Sequence, residues 1–230
     1  MDDWNPPHKP AQLCESRLIS AILDGTFPIN SSLPAERELA ARLGVTRPTL
    51  REVLTRLDRA GWIEIHHGKP TRVRDYWREG NLMVLAALAQ AARQLPPHFS
   101  DYMLEVRTLF APAYTRKALE RDRQAVIALL QNYPQLPDDA VSFARADWQL
   151  QYELTLLSGN PVFTLIYNSF TDLYESLAVR YFSIAENRAH SRVFYLDLLG
   201  CAERCDGNAA EELVRQTMQS SRERWKQQES

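Results

Sequence analysis

Two short helical patterns joined by a glycine, with a β-hairpin pattern after them, constrain this chain more than any other feature. Residues 33–40 form the first pattern, residues 44–54 form the second, and alternating apolar residues follow on both sides of Gly68. Gly44 permits the tight turn between two helices, and alternation with a period of two is typical of strands. The order predicts a winged helix-turn-helix, a fold whose second helix enters the major groove of DNA.

The second helix of this pattern has two distinct faces. Its apolar residues recur at intervals of three and four positions: Leu50, Val53, Leu54 and Leu57. Arg47, Arg51 and Thr55 are four residues apart on another face. Thr46 is expected to cap the helix, and Pro48 falls in its first turn. A helix with a buried stripe and exposed arginines fits a DNA groove, although ordinary solvated charges are the alternative interpretation.

Charge is distributed unevenly along the chain, whose formal net charge is −2. Residues 37–74 contain nine arginines and lysines against four acidic residues, whereas residues 80–230 contain 15 basic and 18 acidic residues. A basic module on a mildly acidic body indicates local, salt-sensitive binding to double-stranded DNA. It argues against a bulk nucleic-acid binder.

Helical periodicity continues through the remainder of the chain without a convincing strand. It covers residues 82–94, 98–120, 122–132, 138–157, 161–184, 188–205 and 208–228. The prediction is therefore a mainly α protein in two domains. A winged helix-turn-helix of three helices and a β-hairpin wing covers residues 1–74, a linker covers 75–81, and an all-α bundle of six or seven helices covers 82–230.

Catalytic and membrane functions are disfavoured by the sequence. None of the eight glycines has the spacing of a phosphate-binding loop, a dinucleotide fingerprint or a nucleophile elbow. No apolar run approaches the roughly 20 residues that span a membrane, and no leader pattern precedes the first helix, so a cytoplasmic location is expected. Cys14, Cys201 and Cys205 are odd in number and widely separated, which favours buried thiols over a disulfide framework.

These motifs carry a resemblance to a known family. Residues 33–39, 44–57 and 67–71 resemble the DNA-binding domain of the GntR family of transcription regulators, and residues 158–161 with Tyr181-Phe182 resemble its acyl-CoA-responsive members. The resemblance implies a homodimer that binds palindromic operators, represses fatty acid degradation genes and activates unsaturated fatty acid synthesis genes. It also implies release from DNA by long-chain acyl-CoA, an effector ligand, with no cofactor.

Carried over by position, the resemblance assigns DNA contacts to eight residues: Arg37, Thr46, Arg47, Thr49, Arg51, His67, Gly68 and Lys69. Arginine can bind guanine O6 and N7 or a phosphate through two donors, and hydroxyls at a helix start can donate to phosphate. A glycine lets the wing backbone approach a groove. Pro48 departs from the acyl-CoA-responsive members, which usually have threonine there, although many other GntR relatives have proline. The proline removes a hydroxyl and an N–H donor.

The ligand contacts that the resemblance implies are Leu104, Arg107, Thr108, Tyr181, Arg215, Met218, Ser221 and Trp225. Four cations in the last helix surround Ser221 and Trp225, and they could hold a pyrophosphate while the indole stacks on adenine. These cations are Arg215, Arg222, Arg224 and Lys226. An ordinary charged terminal helix is the alternative. Met218 stands where the acyl-CoA-responsive members usually have glycine, which leaves the preferred acyl-chain length open.

Many GntR relatives bind a metal through one aspartate and three histidines. The matching positions here are Asp147, Gln151, Tyr195 or Leu196, and Gln219. The aspartate is the one competent ligand of that set for a transition metal, so no metal is expected. A rival interpretation is a GntR regulator that responds to a different metabolite, such as an organic acid, since its DNA-binding motifs would be the same.

Overall fold

The computed structural model describes residues 10–66, 68–90 and 98–229. Contacts within the chain define two units, residues 1–95 and residues 96–230. The sequence places residues 82–90 in the predicted C-terminal bundle. They form a helix that belongs to the first unit, because it contacts the helix of residues 47–60.

Three helices form the body of the first unit: α1 (Pro10–Leu23), α2 (Glu36–Leu43) and α3 (Arg47–Ala60). The apolar stripe predicted on α3 is buried, with no member more than 3% exposed: Leu50, Val53, Leu54 and Leu57. Both α1 and α2 pack against α3, and their Leu18 and Leu39 are also buried. Burial of each such side chain stabilises the fold by about 1.5–3 kcal/mol.

The turn between α2 and α3 depends on Gly44, whose φ of 70° and ψ of 30° lie in the left-handed region. Glycine adopts this conformation without steric cost. The predicted cap is confirmed, since the Thr46 hydroxyl accepts a 3.3 Å hydrogen bond from the Thr49 N–H. Pro48 lies in the first turn of α3, where an N–H would have no partner within the helix. The turn thus fixes where α3 begins and which of its residues face outward.

A short hairpin follows α3, and the predicted wing is confirmed. Strands β1 (Ile63–Glu64) and β2 (Arg72–Val73) are antiparallel. Ile63 and Val73 are paired and fully buried. Arg72 forms ion pairs of 3.0 Å with two glutamates, one on β1 and one beyond β2. These contacts hold a hairpin that has few ladder hydrogen bonds of its own.

Two more helices complete the first unit, α4 (Tyr76–Glu79) and α5 (Leu82–Gln90). The ring of Tyr76 is buried, with its centroid 4.7 Å from that of Trp62. On α5, Val84 is buried, and the helix contacts α3. The residues expected to form a linker therefore contain a packed turn of helix.

The second unit consists of helices: α6 (Phe99–Leu130), α7 (Ala140–Leu157), α8 (Pro161–Asn168), α9 (Thr171–Phe182), α10 (Ala185–Glu203) and α11 (Gly207–Glu229). Helix α6 is kinked at Asp122, where φ is −147° and ψ is 76°. The kink agrees with the two helices predicted over 98–120 and 122–132. Since residues 98–229 contain no strand, the predicted mainly α fold is confirmed. None of the helices that the structure describes is long and apolar enough to cross a membrane.

The single helix predicted over residues 161–184 is wrong, because the structure divides it into α8 and α9. Hydroxyls compete for helix carbonyls at the break. Ser169 Oγ donates to the Leu165 carbonyl at 3.0 Å, and Thr171 Oγ1 donates to the Asn168 carbonyl at 3.0 Å. Such bonds offer the backbone an alternative to continued helix. The break lets two short helices, instead of one long one, line a common cavity.

The core of the second unit lies where α6 and α11 pack along each other, with α7 and α10 beside them. Fully buried members include Ala118, Val126, Phe143, Leu154 and Leu198. Helices α8 and α9 pack against α7. Helices α6, α7, α10 and α11 therefore support α8 and α9, which form part of the wall of a cavity.

Replacing Leu50 with alanine should lower the free energy of unfolding by about 2–5 kcal/mol, because a fully buried leucine leaves a cavity behind. Thr55→Ala on the exposed face of the same helix is the matched control and should change it by no more than about 0.5 kcal/mol. Urea denaturation of the full chain, followed by circular dichroism, measures both. Equal effects would mean that the two faces of α3 are assigned incorrectly.

Candidate functional site

The exposed face of α3 carries the arginines predicted to read DNA. Arg47, Arg51 and Thr55 are all exposed. Glu36 on α2 accepts a 2.7 Å hydrogen bond from Arg51 Nε, and the same carboxylate oxygen lies 4.0 Å from Arg47 Nη2. An exposed ion pair contributes only about 0–1 kcal/mol. The glutamate therefore orders both guanidinium groups, and DNA can replace it at small cost.

Hydroxyls lie at the start of the same helix. Thr46 and Thr49 share a 2.9 Å hydrogen bond between their hydroxyls, at a helix N-terminus where free N–H groups and the helix dipole favour a phosphate. Arg37 is exposed on α2. The structure thus leaves each of these predicted residues accessible, and their contacts with DNA stay a prediction.

The tip of the wing is exposed as well. Gly68 has a φ of 74°, and a β-carbon added there would meet no atom within 4 Å. The left-handed backbone, and not lack of space, is therefore what favours glycine. Lys69 is exposed beside it. His67, the remaining predicted DNA contact, lies outside the described residues.

A cavity of about 120 Å³ lies within the C-terminal unit, between residues of α6 through α11. Its wall is predominantly apolar. The predicted ligand residues that line it are Leu104, Arg107, Tyr181, Met218, Ser221 and Trp225. Thr108 instead donates its hydroxyl to the Glu105 carbonyl at 2.6 Å, and Arg215 pairs with Glu211 at 3.0 Å. The structure therefore brings six of the eight predicted residues together and leaves Thr108 and Arg215 outside the lining.

A buried ion pair forms the polar part of the cavity wall. Arg107 Nη2 donates to Asp147 Oδ2 at 2.6 Å. The Tyr174 hydroxyl donates to the same oxygen, and the Tyr195 hydroxyl donates to Oδ1 at 3.1 Å. The guanidinium of Arg107 also lies 5.2 Å from the centre of the Tyr174 ring. Helices α6, α7, α9 and α10 are thus connected through one carboxylate.

The protonation states in this network follow from burial and from the pair itself. Burial is the largest single influence and lowers the pKa of Arg107, but the charge of Asp147, the neighbouring Tyr167 and Tyr114 and the hydrogen bond to Asp147 together raise that pKa above its ordinary value. Burial, and then the charge of Asp147, raise the pKa of the Tyr195 hydroxyl well above its usual range. The arginine therefore stays charged and the tyrosine stays a hydrogen-bond donor at neutral pH.

Two of the positions that match a metal site, Asp147 and Gln151, are engaged by protein groups. Asp147 is paired with Arg107, and Gln151 Oε1 accepts a 2.5 Å hydrogen bond from the Tyr114 hydroxyl. Within residues 10–66, 68–90 and 98–229, no three His, Cys, Asp or Glu side chains form a cluster suited to a metal. A guanidinium against the aspartate opposes a second cation there.

Aromatic and hydroxyl groups lie together where α9 and α11 meet. The rings of Tyr181 and Trp225 are stacked with centroids 6.4 Å apart, and the Arg180 guanidinium lies 5.2 Å from the Trp225 ring. Ser221 lies one turn before Trp225 on α11 and lines the cavity. Met218 is 4% exposed and lines the cavity too. Its side chain therefore occupies part of the space that a glycine would leave.

The cations predicted around Ser221 are mostly paired with acids. Arg222 donates to both oxygens of Asp101 at 2.5 and 2.8 Å and to Glu105 at 2.6 Å. Lys226 Nζ lies 3.4 Å from Asp101. These partners are on α6, more than 100 residues earlier in the chain, so helical spacing could not reveal them. Arg222 and Lys226 thus join α11 to α6.

Sequence reasoning missed the aromatic wall of the cavity. Phe163 and Tyr167 on α8, Phe170 in the turn between the two helices and Tyr174 on α9 line it. The signal in the sequence is their spacing of four, three and four residues, which marks one helical stripe. The same stripe equally predicts an ordinary core, so nothing in the sequence alone assigned it to a ligand.

Comparisons with known proteins match both units. Residues 11–73 match the model of bacterial regulatory proteins of the gntR family, and residues 74–230 match the FadR C-terminal domain. The fatty acid metabolism regulator protein of Shewanella pealeana is 42% identical over 189 residues, which cover 82% of this chain and 79% of that protein. The protein of the same name from Shewanella amazonensis is 40% identical over 195 residues, which cover 85% of this chain and 81% of that one.

Solved structures show the same fold at low sequence identity. The structure of Lar, which controls the Listeria monocytogenes agr system, has a TM-score of 0.63 at 16% identity and matches 97% of this chain and 99% of that one. Escherichia coli McbR/YncC has a TM-score of 0.52 at 17% identity, with 96% and 99% of the two chains covered.

A winged helix with outward arginines, followed by an all-α unit with a cavity, defines a DNA-binding transcription regulator and not an enzyme. The two family models together account for residues 11–230. The chain belongs to the GntR family of bacterial regulatory proteins, with a C-terminal domain of the FadR type.

Arg51→Ala should weaken binding to a specific operator by about 1–3 kcal/mol, because a guanidinium on the groove-facing side of α3 would be lost. Arg42→Ala is the matched control, since Arg42 is also exposed and also pairs with a glutamate, Glu38. Fluorescence anisotropy at fixed salt measures both variants on an operator selected from random duplexes with the wild-type chain. If Arg51→Ala binds no more weakly than Arg42→Ala, α3 does not read the major groove through Arg51.

Asp101→Asn should lower the free energy of unfolding at pH 7 by about 1–2 kcal/mol, because it removes charge-assisted hydrogen bonds. Hydrogen bonds from Arg222 lower the pKa of Asp101. The contribution is therefore complete above the ordinary carboxyl pKa of about 3.9 and is lost as the pH falls through the lower folded value. Urea denaturation at pH 7 and pH 3 should show the difference between wild type and variant shrinking in acid. A constant difference would assign the effect to packing.

Proposed function

We propose that this chain regulates fatty acid metabolism genes and that long-chain acyl-CoA releases it from operator DNA. The observation that carries the proposal is the predominantly apolar cavity of the C-terminal unit, with Tyr181, Ser221 and Trp225 in its lining. The name shared by the Shewanella relatives, fatty acid metabolism regulator protein, supports the same assignment. The acyl-CoA acts as an effector, and DNA binding needs no cofactor.

The wall of the cavity suits a hydrocarbon chain better than a small acid. Met103, Leu104, Ile166 and Leu177 contribute apolar surface to it, and each buried methylene is worth about 0.8 kcal/mol. A long chain therefore gains far more than a short organic acid. The arginine of the wall, Arg107, is already neutralised by Asp147 at 2.6 Å, so a small carboxylate would find its cation occupied. These observations favour an acyl thioester over an organic acid as effector.

The side of the cavity formed by α9 and α11 suits the coenzyme part. Stacked Tyr181 and Trp225 offer an aromatic surface for adenine, and Ser221 offers a hydroxyl to the pantetheine amides. We assign Leu104, Arg107 and Met218 to the acyl side of the same ligand. Because Met218 fills space inside the wall, it sets how far a chain can enter.

DNA recognition is assigned to the N-terminal unit. Helix α3 lies in the major groove, with its arginines on base edges and the hydroxyls at its start on phosphates, while the wing backbone approaches the minor groove. The contributing residues are Arg37, Thr46, Arg47, Thr49, Arg51, His67, Gly68 and Lys69. This partner places the regulator in the bacterial cytoplasm, where the DNA is.

A single α3 reads too few base pairs to select one genomic site. We therefore propose a two-fold homodimer that presents two copies of α3 to a palindrome, with half-sites about 34 Å apart. The bound dimer represses fatty acid degradation genes and activates unsaturated fatty acid synthesis genes. Accumulating acyl-CoA then relieves repression and withdraws activation together.

Saturating oleoyl-CoA should lower the operator affinity of the full chain about a hundredfold, which corresponds to a coupling of roughly 3 kcal/mol. Free CoA and citrate should change it by less than about twofold, because neither fills an apolar cavity. Anisotropy of a labelled operator measures the release. The same titration above the dissociation constant should give two chains per operator.

The control for this titration lies on the same helix. Ser221→Asn should raise the oleoyl-CoA concentration needed for release without changing operator affinity in its absence. Ser220→Asn, at the neighbouring position outside the lining, should behave as wild type. If oleoyl-CoA neither binds nor alters operator affinity, the effector assignment is wrong, and the DNA-binding assignment stands on its own evidence.

A further inference from the structure

The wing is a very short hairpin. Its ladder consists of two residue pairs between β1 and β2, and the predicted DNA contacts Gly68 and Lys69 lie beyond the end of β1. A two-stranded hairpin is only marginally stable by itself. Contacts outside the ladder must therefore fix the direction in which the wing points.

Glu79, the last residue of α4, accepts hydrogen bonds from the wing. Arg72 Nη2 on β2 donates to both of its carboxylate oxygens, at 3.3 and 3.0 Å. Arg74 Nη1, just after β2, lies 3.7 Å from one of these oxygens. The carboxylate also accepts a 3.2 Å hydrogen bond from the Asp75 N–H at the start of α4. One side chain thus joins two arginines of the wing to α4.

The end of α4 is held against the end of α3. Gly61 ends α3, and a β-carbon added to it would lie 2.8 Å from the Cα of Gly80. Asn81 Nδ2 donates to the Arg59 carbonyl, in the last turn of α3, at 3.1 Å. Glu79 is therefore fixed next to the helix that carries the predicted base contacts. A carboxylate fixed to α3 and bonded to β2 determines the angle between the two.

Arg72 and Arg74 are engaged by further protein acceptors. Arg72 Nε pairs with Glu64 at 3.0 Å, and its Nη1 donates to Asn30 Oδ1 at 2.7 Å. Arg74 Nη2 lies 3.5 Å from Asp58 on α3. Guanidinium groups with this many protein partners orient the wing and do not project from it toward DNA.

We propose that Glu79 is a positioning residue for the wing. Its carboxylate joins β2 to the end of α3, so that Gly68 and Lys69 are already placed beside the groove that α3 enters. DNA binding then does not have to order the wing, which would weaken association. The inference rests on the proposed function, since it presumes that the wing contacts DNA.

Glu79→Gln separates positioning from charge. Loss of an acidic group by itself tightens binding to DNA, because the module becomes more basic. The positioning role predicts the opposite result: operator affinity should fall about three- to tenfold, the scale of ordering one side chain on binding. Anisotropy of the full chain at fixed salt, on the operator selected with the wild type, measures the change.

The matched control is Glu38→Gln, which makes the same change in net charge. Glu38 pairs with Arg42 one turn along the same helix, so its loss does not alter the wing. Operator affinity should stay unchanged or rise slightly. Urea denaturation should give similar free energies of unfolding for both variants, since exposed ion pairs contribute little to stability.

Two backgrounds test whether Glu79 acts through the wing. With His67→Ala and Lys69→Ala, the wing side chains assigned to DNA are removed, so Glu79→Gln should change operator affinity less than about twofold. With Arg51→Ala, it should keep its full effect, because a contact of α3 is independent of the wing. A general weakening of the fold would instead lower affinity equally in both backgrounds.

The outcomes distinguish the positioning role from the proposed function. If the wing variant with both alanines binds the operator as tightly as the wild type, the wing does not contact DNA, and both proposals for the wing are wrong. If that variant binds more weakly but Glu79→Gln binds no more weakly than Glu38→Gln, the wing contact stands and the positioning role is wrong. Equal losses for Glu79→Gln in the two backgrounds also overturn the positioning role.

Discussion

The ion pair between Arg107 and Asp147 is the interaction on which the C-terminal unit most depends. A charge removed from water is costly unless its partner and further hydrogen bonds satisfy it. Here the hydroxyls of Tyr174 and Tyr195 complete the coordination of the carboxylate, so four helices meet at one group. The pair also determines chemistry, because it neutralises the cation of the wall and opposes a metal at the aspartate. What remains for a ligand is mostly hydrocarbon surface.

The cations of α11 differ in whether an acidic side chain neutralises them. Arg222 is satisfied by Asp101 and Glu105 and therefore joins α11 to α6. Arg224, only two residues away, lacks such a partner among the described residues. Their different surroundings follow from the helix geometry, since a step of two residues turns the side chain by about 200°. A run of basic residues in the sequence is thus not one surface but two, and only tertiary structure separates them.

The amphipathic periodicity of α3 and the cap at Thr46 were predictable from the sequence, because both are local features. The kink at Asp122 agrees with the predicted boundary between the helical segments 98–120 and 122–132. The break that separates α8 from α9 was not predictable, since Ser169 and Thr171 are compatible with a continuous helix until their hydroxyls bond the carbonyls. The acidic partners of Arg222 were equally hidden, because contacts between distant segments leave no trace in spacing. Prediction thus succeeded for apolar periodicity and capping, and failed where a competing side-chain hydrogen bond or a contact between distant segments decided the structure.

Reciprocity limits how such a regulator can work. If acyl-CoA weakens DNA binding by some factor, DNA must weaken acyl-CoA binding by the same factor. The ligand acts only through its different affinity for two conformations, so a contact that is equal in both contributes affinity but no switching.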